Sequence, residues 1–229
     1  ADTSRILGFF REYFEYHKAE DVFKEKPADK IKHLPGVLVR DTDRLILHIL
    51  AEDRDVFRQL LTTDRAFVNY STKQNKQTRK DDPVPADVIP KPDPNRKPDW
   101  LGTVNQVYGF AEWPSPQPAA LPPDTRLGVL MQPSWLVAWS TNFDNDPVRR
   151  GRWVRERLLG GTVPDLPIGV VAQVPDDPHR TFRDRLAVTR EAKCWKCHNR
   201  MDELGLPFEQ FDHYGRLRAA EPVLDPEAT

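Results

Sequence analysis

Proline limits what this chain can fold into more than any other residue does. The 229 residues contain 22 prolines against 11 glycines. Six fall at positions 83, 85, 90, 92, 94 and 98, and five more at 114, 116, 118, 122 and 123. Each proline fixes its φ angle and removes a backbone donor, so neither cluster can be a helix interior or an inner strand. A bundle with short loops is excluded. The chain reads as three parts: an N-terminal helical module over 1–70, a proline-rich extended connection over 71–126, and an ordered module over 127–229. Trp100, Tyr108, Phe110 and Trp113 lie between the two clusters, and long irregular segments of this kind are usually functional or packed on something else.

The ordered parts carry helical signals and little that predicts sheet. Asp2, Thr3 or Ser4 can cap a helix with Ile6, Leu7, Phe9, Phe10, Tyr13 and Phe14 on its apolar side. Pro35-Gly36 is expected to break the chain, and Asp41 or Thr42 to open a second helix carrying Leu45, Ile46, Ile49 and Leu50. Pro133 can start a helix with Trp135, Leu136 and Trp139. Asp146 followed by Pro147 is a cap-and-first-turn signal for a helix through Leu159, stopped by Gly160-Gly161. Ile168 to Val174 reads as a short strand. A helix is expected from Phe182 to His198, and a last one from Pro207 to Tyr214, closed by Gly215. The fold class is mainly α, with long irregular connections.

Charge narrows the function. Lys and Arg number 34 against 35 Asp and Glu, a net charge of −1 and a pI near 6.7, which argues against nucleic acid as a partner. Apolar runs such as Leu45–Leu47 and Leu127–Met131 fall far below the roughly 20 residues of a membrane span. The start of the chain lacks the charged-then-apolar pattern of a secretory signal.

Both cysteines of the chain lie in Cys194-Trp195-Lys196-Cys197-His198. C-x-x-C-H is the attachment signature of c-type haem. Two thiols on one helical turn can each add to a vinyl group along one porphyrin edge, and the next histidine then sits under the iron. Three other readings compete. A thioredoxin-like pair needs a hydrophobic strand before the motif, and Arg183 to Lys193 is a charged helical stretch instead. Zinc needs four ligands, and no second pair accompanies these three residues and His213. A chemically silent pair in a buried helix is the last. One covalent haem c on Cys194 and Cys197, with His198 as proximal ligand, is the reading adopted.

Leu127 to Arg218 also resembles the haem-bearing C-terminal modules of planctomycete-type cytochrome c-like multidomain proteins, built from domains of unknown function. The residues that carry the resemblance are Asn142 to Gly151, the motif at 194–198, Leu204-Gly205-Leu206-Pro207-Phe208-Glu209, and Phe211-Asp212 with Gly215-Arg216. Phe9 to Phe14, Asp21 to Lys24 and Thr62-Thr63 resemble the module preceding it. The resemblance implies a haem c protein of the periplasm or cell envelope and no particular reaction. Because such proteins are far longer, it also implies a fragment, a processed form or a short member.

The sixth iron ligand follows from position. Met201, one turn beyond His198, stays on the proximal side and is expected to pack there. Met131, among Leu127, Val129, Leu130, Trp135 and Leu136, is the expected distal ligand, with His213 as the alternative. His48 is expected at a core boundary, His17 and His33 in solvent, and His179 in a loop able to reach a haem edge. Arg149, Arg150, Arg152, Arg155 and Arg157 read as a solvated basic face, with propionate pairing as the competing role. Asp144-Asn145-Asp146 lacks the ligand alternation of a calcium loop, so Asp146 is assigned to the helix cap. Electron transfer as a monohaem cytochrome is the expected function, with redox proteins or a larger membrane-associated assembly as partners. The alternatives are a peroxidase- or oxygenase-like haem enzyme with an open sixth position and a haem-bearing interaction subunit.

Overall fold

A computed structural model describes residues 3–25, 33–68, 72–74, 81–83, 107–110, 114, 116–165 and 174–224. The protein is mainly helical, as its sequence predicts. Its contacts form two compact units, one of residues 1–143 and 213–217, the other of 144–212 and 218–229. The division at Phe143 falls inside the 127–229 stretch that the sequence reads as one module.

In the first unit, α1 (Ser4–Phe14) ends at Glu15, whose left-handed φ of 58° turns the chain into a 3-10 turn at Tyr16–Glu20. α2 (Pro35–Glu52) begins earlier than expected, because Pro35 stands at the first helical position. There a missing N–H costs nothing and a fixed φ helps, so the residue read as a breaker starts the helix. α2 buries Val37, Leu38, Val39, Leu45, Ile46 and Ile49. α3 (Val56–Thr62) follows, and the short α4 (Pro133–Ala138) is buried along its whole length. Burying side chains such as Leu45, Ile46 and Leu136 contributes about 1.5–3 kcal/mol each.

Polar groups fix how this core meets. Arg11 and Tyr16 both bond the carboxylate of Asp43, the Tyr16 hydroxyl at 2.7 Å. Burial first, and then the Asp43 charge, push the Tyr16 phenol well above its ordinary pKa, so it serves as a donor. Thr42 and Ser134 hydroxyls meet at 2.7 Å. Buried Arg126 donates to the carbonyls of Met131, Val107 and Gly215 at 2.8, 2.6 and 2.6 Å. Gly128 has a φ of 62°, and a Cβ there would stand 2.3 Å from the Leu61 carbonyl oxygen.

Sheet is minor. Arg65–Ala66 (β1) pairs antiparallel with Ala119–Ala120, and Thr72–Gln74 (β2) with Asp81–Pro83 (β3). The second pair lies within the extended connection read over 71–126. A polar segment ending in proline can still form a two-stranded ribbon, where Pro83 lies at a strand end. Trp100, Trp113 and, of the strand expected from Ile168 to Val174, every residue but Val174 lie outside the described residues, and Val174 is not in a strand.

In the second unit, α5 (Pro147–Trp153) is capped by Asp146, whose carboxylate accepts the Arg149 N–H at 2.9 Å. It continues as a π turn over Val154–Leu158 and stops at Gly160, φ 64°. The helix expected from Phe182 to His198 is broken into α6 (Phe182–Arg185), a 3-10 turn at Leu186–Arg190, and α7 (Ala192–His198). Glu191, extended at ψ 143°, makes the break. The last expected helix is instead α8 (Asp202–Gly205) and a 3-10 turn at Leu206–Gln210, with Phe211 extended. α5 and α8 cross at two glycines: a Cβ on Gly151 would lie 1.8 Å from the Met201 carbonyl oxygen, and one on Gly205 1.8 Å from that of Pro147.

Candidate functional site

α7 carries Cys194, Cys197 and His198. Neither cysteine is in a disulfide, and both are half-buried. His198 is anchored by its own neighbours. Its Nδ1 lies 2.8 Å from Asp202 Oδ1, and the other Asp202 oxygen accepts the Thr189 hydroxyl at 2.6 Å. The Asp202 side chain is 5% exposed and that of His198 16%, so the pair is largely shielded from water. An ionised carboxylate accepts only, so Nδ1 carries the proton and donates. That fixes the tautomer and leaves Nε2, unbonded among the described residues, with the lone pair a metal would need.

The arrangement fits a haem covalently held by this motif. Two unpaired thiols stand on one short helix, and the adjacent imidazole has its far nitrogen already held, the support a metal-bound histidine requires. Zinc fits less well: among the described residues, no group of three or more His, Cys, Asp or Glu converges as a metal cluster. The carboxylate behind His198 was missed from sequence, although its four-residue spacing was visible.

Other expected residues take different places. Met201 is buried, as expected of a packing residue, and its carbonyl faces Gly151. Met131 belongs to the first unit, in the 3-10 turn Val129–Met131, where its Sδ accepts the Leu127 N–H at 3.2 Å. His213 also belongs to that unit, its ring 4.1 Å from Tyr214. His33, expected in solvent, packs edge-on against Tyr214 at 5.5 Å, and His17 bonds the Arg11 carbonyl at 2.9 Å. His48 sits at the core boundary, 3.3 Å from Glu52. His179 is exposed, with Nδ1 3.0 Å from the Leu224 carbonyl.

The arginines of α5 and its continuation do not form one solvated face. Arg150 is completely buried, bonding Phe208 O at 3.3 Å and facing Glu209 at 3.8 Å. Burial above all lowers its pKa to about 10, while burial raises that of Glu209. Arg152 pairs with Glu156 and Asp165 at 3.0 and 3.2 Å. Arg155 is different: its Nε is buried without a partner among the described residues. With Asn199, Arg200, Glu203 and Leu204 it lines a cleft of about 330 Å³, next in sequence to His198. Asp146 caps α5, as assigned, and Asp144 pairs with Arg185 at 3.0 Å.

No helix among the described residues is long and apolar enough to cross a membrane. No curated protein and no solved structure matches the chain. Residues 126–221, the stretch that holds α4 through α8 and the C-x-x-C-H motif, match the family model PSCyt3, a planctomycete cytochrome c-associated domain described as a protein of unknown function (DUF1588).

Proposed function

We propose that this chain is a monohaem c-type cytochrome that transfers electrons in the periplasm or cell envelope. One haem is held by thioether bonds from Cys194 and Cys197, with His198 as proximal ligand. The observation that supports it best is the order around His198: a carboxylate holds Nδ1 and leaves Nε2 for iron, directly after two free thiols. The bound haem supplies the one-electron chemistry. The chain's own residues attach, orient and shield: the cysteines fix one porphyrin edge, Asp202 holds the imidazole tautomer, and Arg155 and Arg200 offer guanidinium groups for propionates. Met131 is proposed for the sixth position, with His213 as the alternative, and redox proteins or a larger membrane-associated assembly as partners.

Expression with a haem-attachment system tests the first step. The denatured wild type should keep its colour and the mass of one haem, and Cys197→Ala should lose the bond at that position. A colourless wild type overturns the proposal. The oxidised spectrum tests the sixth ligand: the far-red sulfur-to-iron band should be present and should vanish in Met131→Ala. A low-spin spectrum without that band assigns the position to a histidine.

A second reading, a haem enzyme with an open sixth position, draws on the Asp202 carboxylate. A more basic proximal imidazole donates more electron density to iron, which favours peroxide or oxygen chemistry. High-spin wild-type iron with peroxide turnover would establish it in place of electron transfer.

A further inference from the structure

His198, Asp202 and Thr189 come from three separate elements and form one shielded chain of hydrogen bonds. The imidazole donates from Nδ1 to Asp202 Oδ1 at 2.8 Å, and Thr189 donates from Oγ1 to Oδ2 at 2.6 Å. Asp202 and Thr189 are only 3% and 7% exposed. Thr189 Oγ1 also lies 2.9 Å from the Leu186 carbonyl, but a hydroxyl has one proton, and the shorter, charge-assisted contact takes it. α8, which begins at Asp202, packs backbone to backbone on α5 at Gly151 and Gly205, with no room for a methyl group at either. The carboxylate is therefore fixed behind the imidazole by packing on one side and by Thr189 on the other.

We infer that Asp202 is a positioning residue that sets the potential of the iron bound by His198, holding it toward the oxidised state, and that Thr189 moderates it. The inference rests on the haem reading above. Two effects point the same way. A carboxylate pulls on the Nδ1 proton more than a neutral acceptor does, so Nε2 becomes a stronger donor and stabilises the higher iron charge. A fixed negative charge, little screened by water, also favours ferric over ferrous iron. The Thr189 hydroxyl draws charge from Oδ2, which weakens the acceptor and acts in the opposite direction. The couple is one electron wide, ferric iron taking one electron from an external reductant to become ferrous.

The two substitutions should consequently shift the potential with opposite signs, which structural loosening would not do. Asp202→Asn keeps an oxygen for the Nδ1 proton and an amide N–H toward Thr189, whose hydroxyl then donates to Leu186. Thr189→Val is close to isosteric and removes only the hydroxyl. The test is mediated redox titration of the full chain with attached haem, reduced by dithionite, beside denatured mass and near-ultraviolet circular dichroism. Asp202→Asn should favour ferrous iron about tenfold, about 59 mV upward for a one-electron couple. Thr189→Val should move the potential downward, and Asp202→Glu should return it toward wild type. Haem attached in all forms with unchanged potentials, or with both variants shifting the same way, overturns this inference and leaves the proposed function standing. A wild type without covalent haem overturns both.

Discussion

Two glycine-to-alanine substitutions in helices should have opposite effects, and the difference follows from what a methyl group meets. Gly8 lies within α1 and has nothing within 4 Å of an added Cβ. There alanine contributes only its better helix propensity, about 0.5–1 kcal/mol of stabilisation. Gly151 lies within α5, and the same propensity gain applies. Its Cβ, however, would stand 1.8 Å from the Met201 carbonyl oxygen and 3.0 Å from the Gly205 backbone nitrogen. Ordinary contact needs at least 3.4 Å, so the α5–α8 crossing must open by roughly 1.6 Å. A gap of only 0.5–1 Å already forfeits about a quarter to a half of each dispersion contact. Both obstructing atoms are backbone, so no rotamer change relieves them. Overpacking of this kind costs about 1–3 kcal/mol or more, which outweighs the propensity gain.

Hydrogen exchange should show it locally. Peptides covering 147–158 and 199–210 should lose protection in Gly151→Ala, while those of the first unit keep theirs. Gly8→Ala should raise protection within 4–14 or leave it unchanged. Because Asp202 opens α8, the Gly151 variant should also disturb the His198 contact. Wild-type or greater protection in Gly151→Ala would refute the close backbone approach and the reasoning built on it.

The buried charges give two further predictions. Burial raises the pKa of Asp146 above its ordinary 3.8, so between those values the folded chain holds more protons than the unfolded chain. Its stabilising share is complete below the unfolded pKa and is lost as pH rises through the folded one. Asp146→Asn keeps the cap and removes the buried charge. Urea unfolding should therefore show a shallower decline from pH 4 to 7 than wild type, whereas Asp146→Ala should lose about 1 kcal/mol at neutral pH. Arg150→Met should cost about 3 kcal/mol by leaving buried Glu209 with Arg218, 3.7 Å away, in place of two arginines, and Glu209→Gln in that background should recover part of the loss in a double-mutant cycle.

Helix existence was legible in the sequence because apolar spacing and caps are local signals: Asp146-Pro147 was read as a cap and first turn and functions as one. The starts and stops were less legible. Pro35 has the same φ whether it ends one segment or begins the next, and only the chain after it decides. Glu191, unremarkable in sequence, divides one expected helix by taking an extended ψ of 143° between Arg190 and Ala192. The arginine row shows the same limit. Five arginines close in sequence resemble a solvated face, yet Arg150 is buried, because Glu209, 59 positions away, supplies its opposite charge. The spacing of the motif was visible in the sequence, since it lies within five residues. What holds its histidine was not, although Asp202 is four residues on, because nothing in the spacing says that the chain turns back after Asn199. That turn depends on Gly151 and Gly205 allowing two backbones to touch. The residue that supports the imidazole is therefore placed by glycines whose own sequence signal is only the absence of a side chain.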